Sequence, residues 1–364
     1  MGIKRSNIVT LFALMILFSS VKLFGQSTNY KVGILLPFQS DGNDASNKNA
    51  EAMLDYLSGV RLSLNELDAF GFQAQVFIWD LSNRDSQNIV KLVKSPQFQE
   101  LDVLIGPISQ NIVSIITPHI KNTKFSWVSP LKNLKLPPTN HHINFFGPDS
   151  VRVKGVLEGL KSRFPRYRYV IVGDPKNPEF VTYQKIAKRI LPAKRISFHQ
   201  LKNGSLAPKL PNSDSILVIN THLSQSTKSS QIKWLEKKPN SQIVGSLDWY
   251  GDFSVISGVD ESKIIYPTIN FTPISDSTVI EFAQTYRNTF LSEPSRFSYQ
   301  GYDQMSFIGL NLLTFNTNFL NSLPNSEYIG LINSIKPYKT NSSNWYNEGI
   351  RFVKFEGFKR TLLR

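Results

Sequence analysis

Apolar, β-rich runs bounded by turn residues recur along the chain at residues 31–37, 74–80, 102–106, 125–129, 169–173, 215–220, 242–245 and 263–268. Several are nearly unbroken in Val, Ile and Leu, the pattern of strands covered on both faces rather than one. Between them the apolar spacing changes from two residues to three and four. Over 50–67, Met53, Leu54, Leu57, Val60, Leu64 and Leu67 fall on one stripe, which predicts an amphipathic helix. Further helices are predicted at 87–94, 110–120, 150–163, 181–191 and 230–237. Strand and helix alternate, so the chain reads as α/β with parallel, doubly wound sheets and right-handed crossovers.

The series runs twice. One β/α set ends near Ser129, a Pro- and Asn-rich stretch at 136–140 leads into Ile143-Asn144-Phe145-Phe146, and a second set begins at Asp149. After Thr268 the pattern becomes two helices, 278–290 and 299–315, then a polar segment, 340–347. An alternating run at 349–358 closes the chain and predicts a hairpin.

The N-terminus changes the picture of where the chain works. A basic start (Lys4, Arg5), a short apolar core at 8–18 and a small residue, Gly25, ahead of Gln26 are the parts of a secretory signal peptide. A spanning helix needs about 20 apolar residues, and Ser19, Ser20 and Lys22 interrupt this run. The expectation is a signal at 1–25, cleavage after Gly25, and a free periplasmic or secreted protein with no stable membrane insertion. With no cysteine, that product is not a lipoprotein and holds neither disulfides nor cysteine-ligated metal. At about 150 residues per domain, the remainder makes two domains.

The formal charge is +14, three units of which leave with the signal. Such a surface favours anionic ligands, anionic wall polymers or lipid headgroups. Nucleic acid is not expected as a partner, because the positive residues are spread along the whole chain with no basic stripe or aromatic-basic motif.

An ordered set of segments carries a resemblance. These are Lys31-Val32-Gly33-Ile34-Leu35-Leu36-Pro37-Phe38; the helix segment 59–65; Asp80 and Asp85; 90–93; Asp102-Val103-Leu104-Ile105-Gly106-Pro107-Ile108-Ser109; Trp127-Val128-Ser129-Pro130; Asn144-Phe145-Phe146-Gly147-Pro148-Asp149; Phe282, Tyr286, Phe290 and Pro294; and Gly301-Tyr302-Asp303. Together they resemble the type I periplasmic substrate-binding proteins of the branched-chain amino acid (Leu/Ile/Val-binding) type. Within the same superfamily, Gly106-Pro107-Ile108-Ser109-Gln110-Asn111-Ile112-Val113 also resembles the core of envelope proteins that activate penicillin-binding proteins. The resemblance implies two doubly wound parallel-sheet lobes joined by a multi-crossover hinge. It divides the chain into a first part of lobe I (26–144), lobe II (145–270), return helices of lobe I (271–325) and a C-terminal segment and hairpin (326–364) crossing back to lobe II. Crossings are expected near 143–148 and 270–274 and before the hairpin.

In doubly wound sheets, ligands sit outside the carboxyl ends of the strands. Ser109 opens the helix after the third strand and is placed to cap it or to donate to an anion; the resemblance makes it the carboxylate-binding position, with Gln110 beside it. The next loop, Ser129-Pro130-Leu131-Lys132-Asn133, offers Ser129, Lys132 and Asn133 where amino-acid binders present small residues, a departure that points to a more anionic ligand, although loop lysines are also commonly just solvated. In lobe II, Asp248 lies where the family places an acid for the ligand ammonium, or caps a helix. Trp249 is suited to stacking, and Asn220-Thr221-His222 to closing the wall. Asp174-Pro175-Lys176-Asn177-Pro178 lacks the Tyr-Gly pair of amino-acid binders.

Catalytic signatures are absent: no His-Glu-x-x-His, Gly-x-Ser-x-Gly, phosphate loop or Gly-x-Gly-x-x-Gly occurs. The adjacent His141 and His142 point apart in an extended segment and have no third ligand in view. No catalytic residue, metal or cofactor is expected. The expected function is capture of a small polar ligand (amino-acid-like, a short peptide or a cell-wall fragment) for uptake through an ABC transporter permease or for sensing. The alternative is a regulatory envelope protein that docks a cell-wall synthesis or secretion partner without a small ligand.

Overall fold

The computed structural model describes residues 29–39, 48–81, 85–120, 123–137, 141–201, 215–221, 238, 240–245, 263–321, 323, 327–340, 344–356 and 359–363. The signal segment and the predicted helix at 230–237 lie outside them.

Two seven-stranded sheets organise the described residues. In the first, β1 (Asn29–Leu36), β2 (Gln73–Asp80), β3 (Val103–Ile105), β4 (Ser126–Ser129) and β5 (His142–Asn144) run parallel in the order β5-β4-β3-β1-β2. In the second, β6 (Arg168–Gly173), β7 (Ile196–Gln200), β8 (Ile216–Thr221), β9 (Gln242–Val244) and β10 (Ile264–Thr268) run parallel in the order β10-β9-β8-β6-β7. The unbroken apolar runs have the expected cause: on β1, Val32, Ile34 and Leu36 enter one core while Leu35 enters the core on the opposite face. Helices cover both faces: α1 (Lys48–Asp68), α2 (Ser86–Val93), α3 (Pro96–Gln99) and α4 (Gln110–Ile116) in lobe I, and α5 (Asp149–Arg163) and α6 (Pro178–Ile190) in lobe II. Lobe I is completed by α7 (Ser277–Phe290) and α8 (Arg296–Phe315).

The longest helix contact is α1 on α8, and it needs glycine on both sides. A Cβ on Gly59 would lie 1.8 Å from the Ser298 carbonyl oxygen, and one on Gly301 2.0 Å from that of Tyr56. Two hydrogen bonds register the pair, Tyr56 Oη to Gln304 Oε1 and Ser63 Oγ with Ser306 Oγ, both 2.8 Å. Leu54, read as part of the buried stripe of α1, is 48% exposed. The buried side is instead widened by Tyr56 and by Leu62, which packs against Phe282 and Tyr286 of α7.

The chain's last strands divide between the sheets. β13 (Pro337–Lys339) and β14 (Trp345–Asn347) extend the first sheet beyond β5, with β14 parallel to it. β15 (Arg351–Glu356) and β16 (Lys359–Leu362) extend the second, β15 antiparallel to β10 and β16 antiparallel to β15. The hairpin read at 349–358 is therefore displaced: its first arm alone occupies 351–356. A small ribbon, β11 (Tyr328–Ile329) with β12 (Ser334–Ile335), precedes β13.

The chain crosses between the sheets at 145–148, 269–276 and 348–350. A strap at 330–333 ties the second crossing to the start of β15, just past the third. Asp303 on α8, fully buried, accepts the backbone N–H groups of Leu331 (2.6 Å), Ile332 (2.9 Å) and Asn333 (2.9 Å). From the other side, Arg351 on β15 donates to the carbonyls of Gly330 (2.6 Å), Leu331 (3.0 Å) and Asn333 (2.8 Å), and to Phe271 of the second crossing (3.2 Å). Burial pushes the Asp303 carboxyl up to about 6, against the pull of the three amides and of Arg351. The third crossing lies on α5 at Gly155, where a Cβ would meet the Glu348 carbonyl oxygen at 2.0 Å. There the buried Glu348 carboxylate pairs with Lys154 and with Lys336 (3.1 Å).

Candidate functional site

In both sheets the strand order reverses direction at a defined point, between β1 and β3 and between β6 and β8. Loops leaving neighbouring strands to opposite faces open a crevice there. In lobe I the crevice is a cavity of about 540 Å³ lined by Pro37 and Gln39 after β1, Ile108 and Ser109 after β3, and Leu131 and Lys132 after β4.

The loop after β3 is held by glycine geometry. Gly106 has φ +96°, and a Cβ there would lie 2.2 Å from the Leu35 carbonyl oxygen, so an L side chain is excluded twice over. Its carbonyl accepts from Trp127 Nε1 at 2.6 Å. Ser109 follows in extended conformation (φ −120°, ψ 131°) and makes no capping bond, in contrast to Asp85, Ser95, Asn177, Asp276 and Ser295 at other helix starts. Its hydroxyl lines the cavity without serving the helix.

Two other residues expected at the ligand make hydrogen bonds within the protein. Ser129 Oγ donates to the Lys132 carbonyl at 2.6 Å, closing the turn after β4. Gln110 clasps the backbone of Lys135, accepting its N–H at 2.9 Å and donating to its carbonyl at 3.2 Å. Lys132 lines the cavity; Asn133 is exposed and lines neither of the cavities discussed here. His222, Asp248 and Trp249 lie outside the described residues. Asn177 of the Asp174 loop caps α6 through Glu179 N (2.8 Å). His142 is buried, with Nδ1 2.7 Å from the Pro137 carbonyl, and burial lowers its pKa to about 4. Among the described residues no group of three His, Cys, Asp or Glu side chains is placed to hold a metal.

A second cavity, of about 260 Å³, lies where the crossings meet, and it shares Leu131, Arg296 and Phe297 with the first. Lobe I contributes Arg296 and Gln300 from α8; lobe II contributes Arg152 and Val156 from α5 and Thr268 from the end of β10. Arg152 is oriented by Asp149 (3.3 Å) and Glu179 (3.4 Å). Arg296 lies over the Phe297 ring, 4.6 Å from its centroid, and has no ion-pair partner among the described residues. Gln300 is 2% exposed, and its Oε1 has no hydrogen-bond partner among the described residues. No Asp or Glu lines either cavity among the described residues.

Sequence reading passed over Arg152, Arg296 and Gln300. A signal for the last two was present: they stand four apart, just after the Ser295 cap, on one face of a helix that is otherwise rich in apolar residues.

No family model matches the chain, and no curated protein matches it. Solved structures do. One described as a branched-chain amino acid ABC transporter from Rhodospirillum rubrum superposes with a TM-score of 0.61 at 13% identity, covering 92% of this chain and 100% of that one. The C-domain of LpoA from Haemophilus influenzae, a regulator of PBP1A, gives 0.57 at 12% identity, covering 92% and 100%. A branched-chain amino acid ABC transporter periplasmic ligand-binding protein from Burkholderia xenovorans gives 0.51 at 10% identity, covering 92% and 95%. The fold is therefore the two-lobed type I periplasmic binding fold.

Proposed function

We propose that this chain, built on the type I periplasmic binding fold, is an exported solute-binding protein whose lobes close on a small polar ligand for uptake or sensing, and that it is not an enzyme. One observation carries the reading: the cavity at the crossings is walled from both lobes, with Arg296 and Gln300 on one side and Arg152 and Thr268 on the other. A ligand there touches both lobes at once, so it stabilises the closed arrangement over the open one by whatever contacts only the closed form completes. The adjoining cavity at Ser109 and Lys132 extends the site along lobe I. The solved ABC transporter structures of this fold support a transporter permease as partner.

The test is a thermal-shift screen of the chain lacking residues 1–25 against amino acids, short peptides, wall fragments, sugars and phosphorylated compounds. X-ray scattering would then follow with each hit. A hit that lowers the radius of gyration supports capture by closure. A chain that binds none of them, yet retains a wall-synthesis or secretion protein, supports the docking alternative instead.

A further inference from the structure

The hinge cavity narrows the ligand class, an inference that rests on the cleft being a ligand site. Gln300 brings a primary amide into an almost dry position, and its buried Oε1 has no hydrogen-bond partner among the described residues. A buried amide left in this state costs stability unless something completes it. What Oε1 lacks is an N–H donor, and a peptide bond supplies one together with a carbonyl that the same primary amide can donate to. One helical turn before it, Arg296 adds an unpaired guanidinium at the boundary shared by the two cavities. Arg152 on the facing lobe and Lys132 further along extend the positive lining, with no carboxylate among the described lining residues. A free amino acid supplies a carboxylate but, Asn and Gln apart, no amide.

We infer that the site takes a short acidic peptide, seated with a peptide bond on Gln300 and a carboxylate on Arg296. Arg296, exposed and on the helix surface, then sets preference for the acid over its amide, because a guanidinium forms paired, charge-assisted bonds with a carboxylate and not with a carboxamide. Gln300 sets the requirement for a peptide bond, whichever side chain follows.

The experiment is calorimetry with di- and tripeptides containing Glu or Asp, in L and D forms, each matched to its Gln or Asn isostere, with succinate and free glutamate as anions lacking a peptide bond. The expected result is that at least one acidic peptide binds tenfold or more tightly than its isostere and than either simple anion. Arg296→Gln should then erase the preference for acid over isostere. Gln300→Met should weaken both peptides together; should that variant not fold, Arg296→Gln alone decides. Equal affinity for acid and isostere, or a preference untouched in Arg296→Gln, overturns the inference. A neutral or non-peptide ligand that closes the lobes overturns it too, while leaving the binding-protein reading intact. Silence across the broader screen as well overturns both.

Discussion

Replacing Arg351 by Met tests whether the strap at 330–333 holds the two lobes together. The side chain keeps comparable length and an apolar stem, so the change removes the guanidinium and little else. Four backbone carbonyls, the buried pair of Leu331 and Asn333 and the partly buried pair of Gly330 and Phe271, lose a donor, and the Asp303 carboxylate loses the favourable charge of Arg351. Hydrogen bonds to charged groups contribute about 1.5–3 kcal/mol each, but bonds to one guanidinium are not additive. Removing one partner of a buried charged network costs about 3–5 kcal/mol, and that is the expected loss here. At about 2–4 °C per kcal/mol for a large domain, the midpoint should fall by roughly 10 °C. The assay is urea and thermal unfolding followed by circular dichroism, repeated on Asp303→Asn and on the double variant. Because both side chains grip the same four-residue strap, the double variant should be less damaged than the sum of the singles by about 1–3 kcal/mol. A loss below 1 kcal/mol for Arg351→Met, or strict additivity, would refute the strap as a coupled unit.

Three further outcomes follow from the geometry. Ser109→Ala should leave the unfolding midpoint within about 0.5 kcal/mol of the parent, since no cap bond is lost, while weakening ligand binding roughly tenfold, as for one charge-assisted bond; a large stability loss with unchanged binding would make the hydroxyl structural. Gly59→Ala should cost about 3 kcal/mol in urea unfolding, because the new Cβ meets backbone on α8 and the helices must part; a neutral substitution would show that α1 and α8 do not touch there. His142, with a folded pKa near 4 against the ordinary 6.5, resists protonation only in the native state, so the stability it contributes is present above pH 6.5 and is lost as pH falls toward 4, by up to about 3 kcal/mol. The difference in unfolding free energy between the parent and His142→Phe should follow that window, and a flat difference would contradict the burial of the ring.

Much of the architecture was legible because its strands are covered on both faces. Runs such as Val32 to Leu36 and Val170 to Val172 have no polar side, and only a sheet between two helix layers asks for that. Strands escaped notice where this pressure is weak or the run is short. β5 is buried but has only three residues; β14 is as short, with Trp345 and Tyr346 half-buried in a polar stretch; β7 is an edge strand with mostly intermediate burial. At the site, the Ser109 loop was readable because a Gly-Pro pair ends a strand and only glycine fits there. The internal bonds of Gln110 and Ser129 were not legible, because a polar residue beside a cleft looks the same in sequence whether it faces the ligand or holds up the wall. Gln300 was missed for the opposite reason: a polar residue within a buried helix is most simply read as satisfied, and only its surroundings show that it is not.

The three crossings bear on how the chain is made. α1 finds its main partner, α8, more than two hundred residues later, and each sheet waits for strands from the final stretch, β13 and β14 for one and β15 and β16 for the other. Neither lobe is a contiguous segment, so neither can be completed before residues 337–362 have been made. Contacts this distant in sequence also slow folding, because the chain between them must be ordered before they form. The growing polypeptide thus carries two unfinished sheets until residues 337–362 have been made, a state in which a chain can still be threaded through a narrow pore, and its two lobes then mature together.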